Sequence, residues 1–172
     1  WPNQVAHPLS TSEIPNPPEF VKILFVGVAP TRLDGDNRGS HFYSSPSDPL
    51  RRELFRLLAE QPFSLPLHGL NWHNAILQFH KSQCFFVHAA KVRPILKDAP
   101  PRQAIAFCAK RHVLNEIQSI SPKTLCVISK SQVGPVTAGI FGTPLSEEPQ
   151  NIRVGTWTGL AALAPQPVRG GA

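Results

Sequence analysis

Continuous apolar runs alternate with helical repeats along this chain, and that alternation predicts its architecture. Val21-Lys22-Ile23-Leu24-Phe25-Val26-Gly27 holds six apolar or glycine residues out of seven. A strand with one wet face alternates apolar and polar residues, so this run predicts a strand buried on both faces of a parallel sheet. Cys84-Phe85-Phe86-Val87-His88-Ala89-Ala90 predicts a second buried strand and Thr124-Leu125-Cys126-Val127-Ile128 a third. Ile152 to Thr156 and Leu160 to Leu163 are weaker β-like pieces.

Helical patterns fill the spaces between. Asp48 is placed as an N-cap with Pro49 at the first helical position. The helix is expected to run to about Glu60, with Leu50, Leu54, Leu57 and Leu58 inward and Arg51, Arg52 and Arg56 on the wet side. A second helix is expected over Asn71 to Lys81, with Trp72, Ala75, Ile76 and Phe79 as a core stripe. A long one is expected from about Pro101 to Ile120, with Ile105, Cys108, His112, Leu114 and Ile117 mostly inward, and a short one ends near Gly139 to Gly142. The prolines of residues 1 to 19 predict an extended arm. The fold class is therefore α/β: a three-layer α/β/α domain over residues 1–172, with a mostly parallel sheet of about four strands.

The length of 172 residues and 41% hydrophobic content suit one domain with a proper core. No apolar run approaches the roughly 18 residues of a membrane span, and no signal-peptide pattern is present. A formal charge of +6 favours polyanionic partners, although a merely basic surface gives the same count. Cys84, Cys108 and Cys126 are widely spaced and contain no CxxC, so a reducing, cytoplasmic compartment is expected. The seven His include no ligand-spaced pair, which argues against structural zinc.

Open α/β sheets take their ligands at the carboxyl ends of the strands. There the first strand breaks into a loop where Asp34, Asp36, Asn37, Arg38, His41, Phe42 and Tyr43 crowd into ten residues. An aromatic ring for stacking and polar groups for an edge suit a planar polar ligand. Asp34, Asp36 and Asn37 are also ordinary turn residues, and His88 on a buried strand is ordinarily a core histidine.

Gly27-Val28-Ala29-Pro30, followed by Gly39 and Phe42, resembles the pocket loop of the uracil-DNA glycosylase superfamily, nearest to its four-cysteine and type-B classes. Val87-His88-Ala89-Ala90-Lys91-Val92-Arg93-Pro94 is similar to a second block of those classes, and Cys108 falls where their helix cysteine lies. Ser121 to Ser131 resembles the next strand and turn, so the likeness covers about residues 21 to 133.

The resemblance implies a glycosylase that hydrolyses the N-glycosidic bond of a deaminated or damaged, uracil-type base in DNA during base excision repair. By position it implies that Gly27, Val28, Ala29 and Pro30 hold a base carbonyl, Phe42 stacks on the ring and His88 meets its edge. Asp34 or Asp36 could position water, with Asp36 the chosen candidate and Asn37 and His41 beside it, and His41 would stabilise charge on the leaving base. Lys91, Arg93, Lys97 and Arg169 are candidates for DNA phosphate contact.

The departures are specific. Val28 stands where the four-cysteine class has an acid, Ser44 and Ser45 where the type-B class has an Asp, and His88 where the family has an Asn. Pro165-Gln166-Pro167-Val168-Arg169 replaces the family's His-Pro-Ser loop. Val92 replaces one cluster cysteine and the N-terminal pair is missing, so no iron–sulfur cluster, metal or other cofactor is expected. The alternative reading is a catalytically inactive module of the same fold that binds DNA or a nucleobase; a nucleoside hydrolase is a third. The chain is expected to act as a monomer.

Overall fold

The computed structural model describes residues 7–8, 15–29, 42–43, 48–93, 101–128, 133–142, 145–146 and 148–164. Its strands are β1 (His7–Pro8), β2 (Ile23–Gly27), β3 (Cys84–His88), β4 (Val92–Arg93), β5 (Thr124–Ile128), β6 (Gln150–Val154) and β7 (Trp157–Ala164). Its α-helices are α1 (Pro49–Ala59), α2 (Trp72–Lys81), α3 (Arg102–Cys108), α4 (Leu114–Ile120) and α5 (Val133–Phe141).

The main sheet has the order β3-β2-β5-β7-β6. β2 pairs in parallel with β3 on one side and β5 on the other. Both of its faces are covered, as its unbroken apolar sequence predicts: Leu24 and Val26 are fully buried on one face and Phe25 nearly so on the other. β7 continues the parallel sheet beside β5, and β6 closes the edge antiparallel to β7.

The sheet thus has five strands where about four were expected. The two weak tail pieces are one hairpin, turning at Gly155, whose φ of +59° favours glycine. Trp157 anchors the hairpin by donating its indole N–H to the carbonyl of Pro122 at 2.7 Å. β6 is hard to read in the sequence because Asn151 and Arg153 alternate outward, the polar dressing of an edge strand.

α1 starts as predicted, with the Asp48 carboxylate accepting the Arg51 N–H at 2.7 Å and Pro49 in the first turn. Its inward face differs from the expected one. Arg51, expected on the wet side, is 2% exposed, whereas Leu57, expected inward, is 38% exposed, and Phe55 takes its place in the core. The reason is tertiary: Arg51 donates from Nη1 to the Phe42 carbonyl at 2.5 Å, and its guanidinium lies 5.3 Å over the Trp72 ring. Arg56 does remain outside, paired with Glu53 and Glu60.

α2 begins where expected, with Asn71 as its cap. The long helix is continuous from residue 102 to 120 but passes through a π turn over Ala109–Val113, between α3 and α4. Cys108 and His112 are half-buried rather than inward. α5 crosses this run closely; Gly139 sits against the Ala106 carbonyl and Ala109 Cβ, leaving no room for a side chain. The N-terminal arm contributes β1, which pairs antiparallel with β4 in the register His7↔Arg93.

Candidate functional site

The parallel register sets Gly27 directly beside His88 at the carboxyl ends of the two neighbouring strands. The ladder continues past them: Ala89 N–H donates to the Gly27 carbonyl and Ala90 N–H to the Val28 carbonyl, each at 2.8 Å. The Gly27-Val28-Ala29 loop and the segment after His88 are therefore fixed against one another, as two loops opening over one crevice require.

Position 27 has room only for glycine. A Cβ there would lie 2.6 Å from Phe86 Cζ and 3.3 Å from His88 Nδ1. Side chains two apart on a strand share a face, so Phe86 and His88 both stand on the side of Gly27. The imidazole of His88 is 6% exposed and meets the Phe86 ring edge-on, centroids 4.8 Å apart.

Phe42 completes the cluster. Its ring is fully buried and lies flat on Phe86, with centroids 4.1 Å apart and planes 4° from parallel. Phe55 and Tyr43 meet it edge-on. Thus Phe86 touches Gly27 and Phe42 of the loop pattern and His88 of the second block, and the Phe42 ring is enclosed by protein.

Two polar clamps hold this stack. The Tyr43 hydroxyl donates to the Phe86 carbonyl at 3.0 Å and accepts the Phe86 N–H at 2.8 Å. β3 is the edge of the main sheet, so one phenol satisfies backbone groups that a further strand would otherwise pair. Burial pushes the Tyr43 phenol well above its ordinary pKa, keeping it a donor. Arg51 supplies the second clamp through the Phe42 carbonyl, at the cost of desolvating its guanidinium, which lowers its pKa.

The remaining expected residues are distributed as follows. Val28 and Ala29 are half-buried beside Gly27. Lys91 is engaged in an ion pair with Glu116 of α4 at 2.7 Å. Arg93 lies in β4, across from His7. Pro30, Asp36, Asn37, His41, Lys97 and Arg169 lie outside the described residues, as do Asp34, Ser44 and Ser45.

Two contributors escaped sequence reasoning, Phe86 and Arg51, and Tyr43, which the loop had singled out, takes a role that the loop did not suggest. Phe86 had a usable signal, its i−2 spacing from His88. Arg51 had one too, its i, i+3, i+4 and i+7 spacing with Leu54, Phe55 and Leu58, which its charge overrode; the role of Tyr43 had none, because its partners are backbone groups distant in sequence.

A four-thiolate cluster does not fit this chain. It has three cysteines, and Cys84 and Cys126 lie on strands separated by β2. Burial raises their thiols to about 11 and about 12, which keeps them protonated at neutral pH. Among the described residues no group of His, Cys, Asp or Glu is arranged to hold a metal ion, and no helix among them is long and apolar enough to cross a membrane.

Comparison with known families places this arrangement. The family model described as the uracil DNA glycosylase superfamily matches residues 15–154, from the end of the N-terminal arm through β6. No curated relative matches the chain.

Proposed function

We propose that this chain, which belongs to the uracil DNA glycosylase superfamily, is a divergent DNA glycosylase that removes a deaminated or damaged base in base excision repair. The observation that supports this best is the convergence of Gly27, Phe42 and His88 on one spot at the carboxyl ends of β2 and β3. The base is flipped out of the helix to reach such a site. The backbone N–H groups of Val28 and Ala29 receive a carbonyl oxygen, Phe42 supplies a ring face and His88 contacts the base edge. Asp36 orients a water whose oxygen bonds to C1′ as the C1′–N bond breaks; Asn37 and His41 stabilise the charge that develops on the departing base, and the water's proton is passed to the carboxylate.

The Phe42–Phe86 stack adds a requirement. With Phe42 fully buried against Phe86, a base reaches the Phe42 ring only if that stack opens. This same observation favours the second reading, a non-catalytic module that binds DNA through the outer face of the fold.

The test is excision under single turnover, with protein in excess over labelled oligonucleotides carrying uracil, hypoxanthine, xanthine or a mismatch, single- and double-stranded. Strand cleavage after alkaline treatment at one modified position supports the glycosylase. Salt-sensitive binding without cleavage of any substrate supports the binding module and rejects the enzyme.

A further inference from the structure

A cleft of about 490 Å³ lies between α1 and the segment leading into α2, and Arg51, which donates to the Phe42 carbonyl, is one of its lining residues. Its polar wall consists of Arg51, Arg52, Arg56, His68 and Asn71, with Trp72 beside them, and among the described residues no acidic side chain lines it. Arg56 is neutralised by Glu53 and Glu60. Arg52 is exposed and forms no ion pair among the described residues.

Arg51 makes this more than a basic patch. It is 2% exposed, and Nη1 is satisfied by the Phe42 carbonyl, but its Nη2 is buried with no hydrogen-bond partner among the described residues. Buried donors are nearly always paired, and leaving one from a charged group unmade is costly. The amino end of α2 also borders the cleft. Asn71 caps only the Asn74 N–H, so the first-turn amides of Trp72 and His73 have no acceptor within the helix.

We propose that this cleft is a phosphate site, in which Arg51 Nη2, Arg52 and the first turn of α2 hold one phosphate group. A guanidinium offers paired donors matched to phosphate oxygens. The chemistry is that of a nucleic-acid backbone phosphate or of a free phosphate ion. Arg51 both lines the cleft and donates to the Phe42 carbonyl, so the cleft and the candidate base site share one side chain. The site stands whether or not a base is excised.

The test uses an undamaged single-stranded oligonucleotide, so that excision plays no part. Arg52→Glu is compared with Arg153→Glu, an exposed arginine on β6 whose reversal changes net charge by the same amount. Affinity by fluorescence anisotropy is expected to fall about tenfold in Arg52→Glu, with the log–log salt slope reduced by about 0.7 because one phosphate fewer is neutralised. Arg153→Glu is expected to change affinity less than about twofold, as a remote screened charge does. Inorganic phosphate serves as competitor: displacement of the oligonucleotide identifies a site sufficient for the free ion, and lack of displacement identifies one that needs the strand. Equal effects of the two variants, or no oligonucleotide binding by the unaltered chain together with no phosphate-induced rise in Tm, would overturn the phosphate site and leave the excision reading untouched.

Discussion

Replacing Phe86 probes the packing of the site most sharply. The ring is 1% exposed, lies on Phe42 at 4.1 Å and reaches the backbone at Gly27. Truncation to alanine removes a whole ring from a place where neighbouring backbone cannot collapse inward. Phe→Ala changes in such cores cost about 3–5 kcal/mol. For a chain of this size that is a fall in Tm on the order of 10 °C. The aromatic pair itself accounts for about 1 kcal/mol beyond buried area. A double-mutant cycle with Phe42→Leu, Phe86→Leu and the double variant, followed by urea denaturation, isolates that share. The space opened in Phe86→Ala is bounded by Gly27, Phe42 and His88, so free uracil is expected to raise the Tm of that variant and to leave the parent chain unchanged. At 100-fold over its dissociation constant the ligand contributes about 2.7 kcal/mol. A coupling energy below about 0.3 kcal/mol, within the range of simple additivity, would refute the stack. A uracil effect equal in both proteins would refute Phe86 as the group that closes the pocket.

Other perturbations have calculable outcomes. Tyr43→Phe strips the Phe86 backbone of both bonds to the phenol, and about 1–3 kcal/mol of stability is expected to go with them; hydrogen exchange at the Phe86 amide should accelerate. Asp48→Ala removes the cap of α1 and should cost about 0.5–2 kcal/mol by urea denaturation. Burial lowers the pKa of His80 from 6.5, so the unfolded chain takes up that proton first. The resulting stability is fully present above pH 6.5 and is lost as pH falls below it through the folded-state value. Thermal scans between pH 7.5 and 5.5 should show that fall, and His80→Gln should reduce it.

Much of the architecture was legible because burial on both sheet faces leaves an unbroken apolar signature, as in β2, β3 and β5. The Asp48 cap was equally readable, since it acts on backbone three residues away; Asn71, expected as the first helical residue, caps α2 in the same way. Legibility failed where the partner is remote. Arg51 shares the i, i+3, i+4, i+7 face of Leu54, Phe55 and Leu58, but its charge argued for water, and the Phe42 carbonyl and the Trp72 ring are what hold that charge inside. Leu57 sits on the apolar stripe by spacing, yet Phe55 is the residue that meets Phe42 and Phe79. The hairpin of β6 and β7 was blurred by its polar edge and by Gly159, which lies under the Trp157 ring. At the candidate site the loop pattern led to Gly27 and Phe42, and the second block to His88. The i−2 spacing puts Phe86 on the face of His88; that it also meets Gly27 and Phe42 depends on register and strand pairing, which no local pattern encodes.

In the proposed glycosylase, Phe42 and His88 act together on a flipped base. The most direct measurement of that joint action is the single-turnover rate of free-base release from a modified oligonucleotide, compared among the parent chain, His88→Ala and Phe42→Leu at matched folded concentration. Release by the parent chain is expected, with a rate at least about a hundredfold lower in each variant, on the order of a positioned polar group's effect on rate. Release that persists unchanged in both variants, or no release from any substrate by the parent chain, would contradict it.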